Sequence, residues 1–256
     1  MGTRLLNKIG VVTGSTSGIG AAIAQALAEE GARVVVSGRR EGEGEKVVAG
    51  VRGAGGQAVF QKTDLTAPDE CARLCRRAQE EFGGLDILVN NAGLFPRASF
   101  DDTTLELWDE LFAVNVRGAF LCSQAAAPLM RQRGGGSIIN IGSCHAFATG
   151  GNLFAYGCTK GALYVLTMNM ARCLAKDRIR VNWITVGWVL TEKELEVQAK
   201  EGRDLEWLKQ NEAQRPMGRY NTAEEIAAGC VYLASDDAQN VTAANLNVSG
   251  GMSIRV

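Results

Sequence analysis

Seven short runs of β-branched and aliphatic residues, each separated from the next by a stretch long enough for a helix, constrain this chain more than any other feature. They are KIGVVT (8–13), RVVVS (33–37), QAVFQK (57–62), LDILVN (85–90), GSIINI (136–141), IRVNWIT (179–185) and ANLNV (244–248). Helix-like stretches fall between them at 18–30, 41–54, 67–82, 104–133, 155–176 and 222–234. A run such as Val34-Val35-Val36 is apolar on both faces and has to be covered on both. Strands joined by helical crossovers pair in parallel, so the rhythm predicts an α/β chain with a doubly wound parallel sheet. No linker, repeat or low-complexity block interrupts it, and one domain is expected over 1–256. Pro68 marks a helix start with Thr66 as its candidate cap, and Gly31 follows the first helix where a left-handed residue is expected.

One segment breaks the rhythm. Residues 188–218 are charged, carry Leu195, Leu205, Trp207 and Leu208 at intervals, and are too long for a plain connection. A mobile helical lid over a cleft is expected there. A surface insertion or an oligomer contact is the alternative.

Composition excludes several functions. A net charge of −1 gives no electrostatic basis for nucleic acid or an anionic membrane as partner. No run of apolar residues is long enough to span a bilayer, and the N-terminus lacks a signal-peptide pattern, so a cytoplasmic location is expected. Met1-Gly2 begins like a myristoylation site, but Leu6 stands where Ser or Thr is needed. Seven scattered cysteines and the single histidine, His145, form neither a disulfide framework nor a zinc pattern.

The first run leads into TGSTSGIG (13–20) and then a helix. Glycines let the main chain approach a pyrophosphate, whose charge is favoured at a helix N-terminus. Gly14, Ser15, Thr16, Ser17, Gly18, Ile19 and Gly20 are therefore candidate coenzyme contacts, with tight strand–helix packing as the other reading. The second run ends in Gly38-Arg39-Arg40, which puts cations where NAD-preferring folds place an acid. NADP(H) is thus favoured over NAD(H), with Arg39 the candidate contact. Solvated surface arginines, or Arg39 stacked on adenine, are the alternatives. Asp64 ends the third run and can accept from an adenine amino group, or simply close a turn.

Tyr156 and Lys160 stand four residues apart in FAYGCTKGALY, so a helix would present both on one face. An ammonium beside a phenol favours tyrosinate and makes a tyrosine usable as an acid or base near neutral pH. Ser143, thirteen residues upstream, can hydrogen-bond the oxygen that gains or loses the proton. A packed ring beside a solvated lysine is the plainer reading of the same spacing.

Taken in order, these marks resemble the short-chain dehydrogenase/reductase family over almost the whole chain. They are TGxxxGIG at 13–20, Asp64, NNAG at 90–93, Asn115, Ser143 and YxxxK at 156–160. The resemblance implies a seven-stranded Rossmann-like sheet, NAD(P) as hydride carrier, a small-molecule carbonyl or alcohol substrate, and a homotetramer or homodimer. Carried over by position, it makes Tyr156 the acid/base and Ser143 the group that polarises the substrate oxygen. Lys160 would lower the tyrosine pKa and bind the nicotinamide ribose, and Asn115 would hold a water in a proton relay. Asn91, Ala92 and Gly93 would line the nucleotide cleft, with Leu65, Gly187, Val189 and Thr191 as further coenzyme contacts. One departure is Val186, where the family commonly has proline; the restored N–H and freed φ predict a looser loop.

A catalytically silent nucleotide-sensing or scaffold protein is the rival reading, and a thiol enzyme using Cys144 and His145 is a third. The substrate pocket is expected from 94–100, 144–155 and the segment starting at Trp188. Leu94, Phe95, His145, Phe147, Leu153, Trp188 and Leu190 predict a mostly apolar wall. Arg97 would either meet an anionic substrate or be a surface charge.

Overall fold

The computed structural model describes residues 2–148 and 151–253. Its strands are β1 (Ile9–Val12), β2 (Arg33–Gly38), β3 (Gln57–Lys62), β4 (Ile87–Asn90), β5 (Gly136–Ile141), β6 (Ile179–Val186) and β7 (Asn245–Val248). They form one sheet in the order β3-β2-β1-β4-β5-β6-β7, every pair parallel. The helices are α1 (Gly18–Glu29), α2 (Glu41–Gly53), α3 (Pro68–Phe82), α4 (Leu105–Phe112), α5 (Ala119–Gln132), α6 (Phe154–Leu174), α7 (Glu192–Lys200), α8 (Leu205–Glu212) and α9 (Ala223–Ala234).

The two-residue period of the strands sorts the core into two layers. Val12, Val34, Val36, Val89 and Ile139 pack against α1, α2 and α9, whereas Val11, Val35, Leu88 and Ile138 pack against α3, α5 and α6. Each such fully buried aliphatic side chain contributes roughly 1.5–3 kcal/mol over an exposed one. The strand order reverses between β1 and β4, which opens a crevice at the carboxyl ends of the strands, where ligands bind in doubly wound sheets. The loop after β1 and the Asn91 segment after β4 border that crevice.

Local details differ from expectation in three places, while residues 188–218 are helical as expected. The stretch expected as one helix over 104–133 is α4, a π-helical segment (Ala113–Gly118) and α5. Thr66 does not cap α3: its hydroxyl donates to Asp64 Oδ1 (2.8 Å), and Ala67 holds the cap position before Pro68. Val186 stands in a strand and not in a loop. It is buried at the end of β6, in register with Val248, and Gly187 N–H continues the pairing by donating to the Val248 carbonyl (3.3 Å). The extra N–H that a proline would lack thus lies at a strand end. Residues 188–218 hold two capped helices, with Thr191 Oγ1 accepting from Glu194 N–H (3.3 Å) and Asp204 Oδ1 from Trp207 N–H (2.8 Å).

Among the described residues, no helix is long and apolar enough to cross a membrane, and no cluster of His, Cys, Asp or Glu could hold a metal ion. All seven cysteines are free thiols.

Candidate active site

A cleft of about 730 Å³ follows the carboxyl ends of the strands, from Arg39 and Asp64 past the β1–α1 loop to Tyr156 and on to α7. Gly14 has φ +62°, and a Cβ there would fall 2.8 Å from Ala92 Cα. A Cβ on Gly20 would run into the Asn91 amide and the Gly14 carbonyl. Both positions need glycine. Asn91 clamps the loop, its Nδ2 donating to the carbonyls of Thr13 (3.0 Å) and Gly14 (3.1 Å). No side chain caps α1 and no acid stands in its first turn, so its leading N–H groups and positive dipole end are open to an anion. Cradle and helix end together fit a dinucleotide pyrophosphate.

Every expected coenzyme contact lines the cleft except Ser15. That hydroxyl is fully buried: it donates to the Val12 carbonyl (2.6 Å) and accepts from Ser37 N–H (2.9 Å), tying the loop to β2. Arg40, not singled out as a contact above, donates to Ser17 Oγ (2.7 Å) at the start of α1, and Arg39 stands exposed beside it. Asp64 spends Oδ1 on the Thr66 N–H (2.9 Å) and hydroxyl, and the N–H bond first of all holds its carboxyl below the usual range. It thus closes a turn while lining the cleft. Thr191, whose hydroxyl caps α7, faces Gly18 across it.

At the reactive end, α6 places Tyr156 and Lys160 one turn apart. Lys160 is 4% exposed; its Nζ donates to the Ile141 carbonyl (2.7 Å) and stands 5.6 Å from the Tyr156 ring centroid. Burial draws the lysine down to about 8. Burial also pushes Tyr156 up to about 12, against the pull of a hydrogen bond from Ser143. The expected lowering of the tyrosine by Lys160 is therefore not a property of the bare chain: the ammonium faces ring and carbonyl, and lost hydration dominates. Ser143 Oγ accepts from His145 N–H (3.2 Å) and lies 3.3 Å from His145 Nδ1, the donor of that second bond being set by the ring tautomer. The His145 ring lies 5.9 Å from that of Tyr156, and burial, then the Arg97 charge, holds it below its usual range. Cys144 Sγ lies 3.7 Å from His145 Nδ1, but burial raises the thiol, which opposes the thiolate that a thiol enzyme needs.

Asn115 sits behind the cleft wall, in the π segment. Its Nδ2 donates to the Leu94 carbonyl (2.9 Å) and Thr159 Oγ1 (3.0 Å), while Oδ1 accepts from Leu94 N–H (2.8 Å). Both side-chain donors are spent on tying the loop after β4 to α6.

The substrate end corrects the apolar expectation. Leu94, Phe95, His145, Leu153 and Trp188 line it, but Phe147 packs on Tyr164 (4.9 Å) and Leu190 is not among the lining residues. Residues 149–150 of the 144–155 loop lie outside the described residues. The far wall is polar, with Arg97, Glu194, Gln198 and Glu201. Arg97 is an internal bridge: Nη2 donates to Glu194 Oε1 (3.0 Å) and Nε to Glu201 Oε1 (3.2 Å). Local spacing carries no signal for a pair so distant in sequence.

A family model described as enoyl-(acyl carrier protein) reductase matches residues 13–253. The 2,5-dichloro-2,5-cyclohexadiene-1,4-diol dehydrogenase of Sphingobium indicum is 38% identical over 257 residues, covering 100% of both chains. The NADP-dependent (R)-specific alcohol dehydrogenase of Lentilactobacillus kefiri is 38% identical over 98% of both. The solved short-chain dehydrogenase/reductase of Serratia marcescens superposes with a TM-score of 0.90 at 38% identity, covering 98% of this chain and 100% of that one. With its seven-stranded parallel sheet and a match along nearly its whole length, the chain belongs to the short-chain dehydrogenase/reductase family and is an NAD(P)-dependent oxidoreductase of CH–OH and C=O groups.

Proposed function

We propose that the chain interconverts a carbonyl and a secondary alcohol with Tyr156 as proton donor and acceptor and NADP(H) as the preferred coenzyme. The observation that carries this is Tyr156 set over the buried Lys160, with Ser143 lining the same cleft, which begins at the uncapped end of α1. The coenzyme supplies the hydride donor or acceptor. The chain supplies orientation and protons. With its pKa near 12, Tyr156 is a loaded phenol at neutral pH and can protonate a carbonyl oxygen that Ser143 polarises. Lys160, drawn to about 8, exchanges protons readily near neutral pH and can refill it. Since both donors of the Asn115 side chain are occupied, a relay water falls to the main chain of the π segment. The decisive experiment is nicotinamide absorbance with a carbonyl panel, comparing wild type with Tyr156→Phe.

The coenzyme preference rests on Arg39 and Arg40 beside Gly38, with no acid at the end of β2. NADPH is expected to raise the unfolding midpoint more than NADH at equal concentration. Replacing both arginines by alanine should weaken NADPH about tenfold or more and leave NADH nearly unaffected, because charge-assisted bonds to a phosphate are lost. Equal shifts with both coenzymes in the wild type would reject the preference.

The segment α7–α8 acts as a lid over the substrate end, held to the body by Arg97. Leu105 on α4, Phe120 on α5 and Val165 on α6 are 69%, 41% and 58% exposed and supply apolar faces for a second copy. Sedimentation at micromolar concentration is expected to give a homodimer or homotetramer; a monomer would reject this.

A further inference from the structure

The Arg97–Glu194–Gln198 wall has a composition that proton transfer at Tyr156 does not explain. Glu194 is 7% exposed and Gln198 fully buried, yet both line the cleft. Glu194 Oε1 collects three donors: Arg97 Nη2 (3.0 Å), Trp188 Nε1 (2.9 Å) and Gln198 Nε2 (2.7 Å). Oε2 accepts nothing among the described residues and keeps some accessible surface. A carboxylate fixed by three donors through one oxygen holds its other oxygen in a set direction, as an acceptor with no partner. Glu194, Arg97 and Tyr156 line the same cleft, so this acceptor belongs to the chamber where the reacting group must lie.

We infer that Glu194 accepts a hydrogen bond from a second, neutral hydroxyl of the substrate, so that the enzyme acts on diol- or polyol-like compounds and their hydroxyketones. The inference rests on the assignment of Tyr156 as the reacting acid/base. The electrostatics of the wall narrow the class. The substrate end is lined by four carboxylates, Glu192, Glu194, Glu196 and Glu201, against three cations, Arg97, Lys193 and Arg203. Arg97 is shared between Glu194 and Glu201, and Arg203 stands 2.8 Å from Glu201. A carboxylate on the substrate would meet like charge at Glu194. Lys193, the cation there without a carboxylate partner among the described residues, stands exposed over the Phe95 ring (5.1 Å), where pairing contributes little. An ammonium on the substrate would meet Arg97 on the shared oxygen. A hydroxyl satisfies Glu194 without either conflict.

The test uses alcohols that share one ring: cyclohexanol, the three cyclohexanediols, aminocyclohexanol and hydroxycyclohexanecarboxylate, each with NADP+ and the intact enzyme. At least one diol is expected to exceed cyclohexanol about tenfold or more in kcat/KM, chiefly through KM, as a hydrogen bond to a charged partner gives. The same diol should raise the unfolding midpoint of the coenzyme complex more than cyclohexanol does. In Glu194→Gln, which keeps the shape and removes the charge, the diol-to-cyclohexanol ratio should fall toward one by both readouts. A ratio of one in the wild type, a ratio untouched by Glu194→Gln, or a preference for the amine or carboxylate overturns the inference. Each leaves the Tyr156 assignment standing so long as some alcohol is oxidised and Tyr156→Phe stops it. No oxidation and no midpoint shift with any member overturns both.

Discussion

Tyr156→Phe is expected to lower turnover by about three orders of magnitude while coenzyme affinity stays within about twofold of wild type. The substitution removes one oxygen and nothing else from the cleft. The ring keeps its edge contacts with Phe95 (6.3 Å) and His145 (5.9 Å), and Lys160 keeps its bond to the Ile141 carbonyl. What disappears is the proton that the substrate oxygen must receive, so kcat and kcat/KM should fall together. Coenzyme titration by thermal shift and steady-state kinetics on the same sample separate the two effects. Turnover within tenfold of wild type would reject Tyr156 as the acid/base. The wild type should also show opposite pH behaviour in the two directions. With the phenol near 12, its acid form dominates throughout the working range and reduction should be flat. Oxidation needs tyrosinate, whose fraction grows with pH, so its rate should climb.

Lys160→Met is expected to cost about 100-fold or more in turnover and to change how stability depends on pH. The lysine lies at about 8 in the folded chain against 10.5 when unfolded, which amounts to about 3 kcal/mol of burial cost. Below pH 8 both states carry the proton and the cost is fully present. Between pH 8 and 10.5 the unfolded chain holds a proton that the folded chain has released, so rising pH stabilises the fold. The methionine variant lacks this term. Denaturant unfolding at pH 7.5 and pH 10 should therefore show wild type gaining on Lys160→Met as the pH rises. An unchanged difference between them would mean that the ammonium is better hydrated than its burial implies.

Much of this was readable from residues alone, and the failures share a cause. Val34-Val35-Val36 announces a strand covered on both faces, and the loop glycines announce a close approach because Gly14 and Gly20 admit no Cβ. Such constraints are local, so they survive in a short stretch of sequence. Arg97 is different: its partners lie about a hundred positions away, on α7 and at its C-terminal cap, and only the closed fold brings them together. The same holds for Ser15, whose hydroxyl is claimed by β2, and for Lys160, whose Nζ is claimed by β5. Type and spacing identify a group able to do chemistry, whereas the competing bond that takes it comes from another element. The π segment was hidden because its buried positions keep helical spacing: Leu111, Asn115, Gly118, Cys122 and Ala126 follow one another at three and four residues.

That segment also acts as a phase adjuster. Each residue of an α-helix turns the chain by about 100°, and a π turn accommodates roughly one residue more than its α counterpart. The stretch from Leu105 to Gln132 therefore behaves as two helices on one axle, the second rotated against the first. The rotation lets Asn115 reach Leu94 and Thr159 while Cys122, Ala126 and Met130 still seat in the core beneath β4 and β5. Point substitutions along this axle act one face at a time. Loss of a single residue would turn every later side chain together, so the wall that Asn115 ties to Leu94 and Thr159 and the core under it stand or fall as one unit.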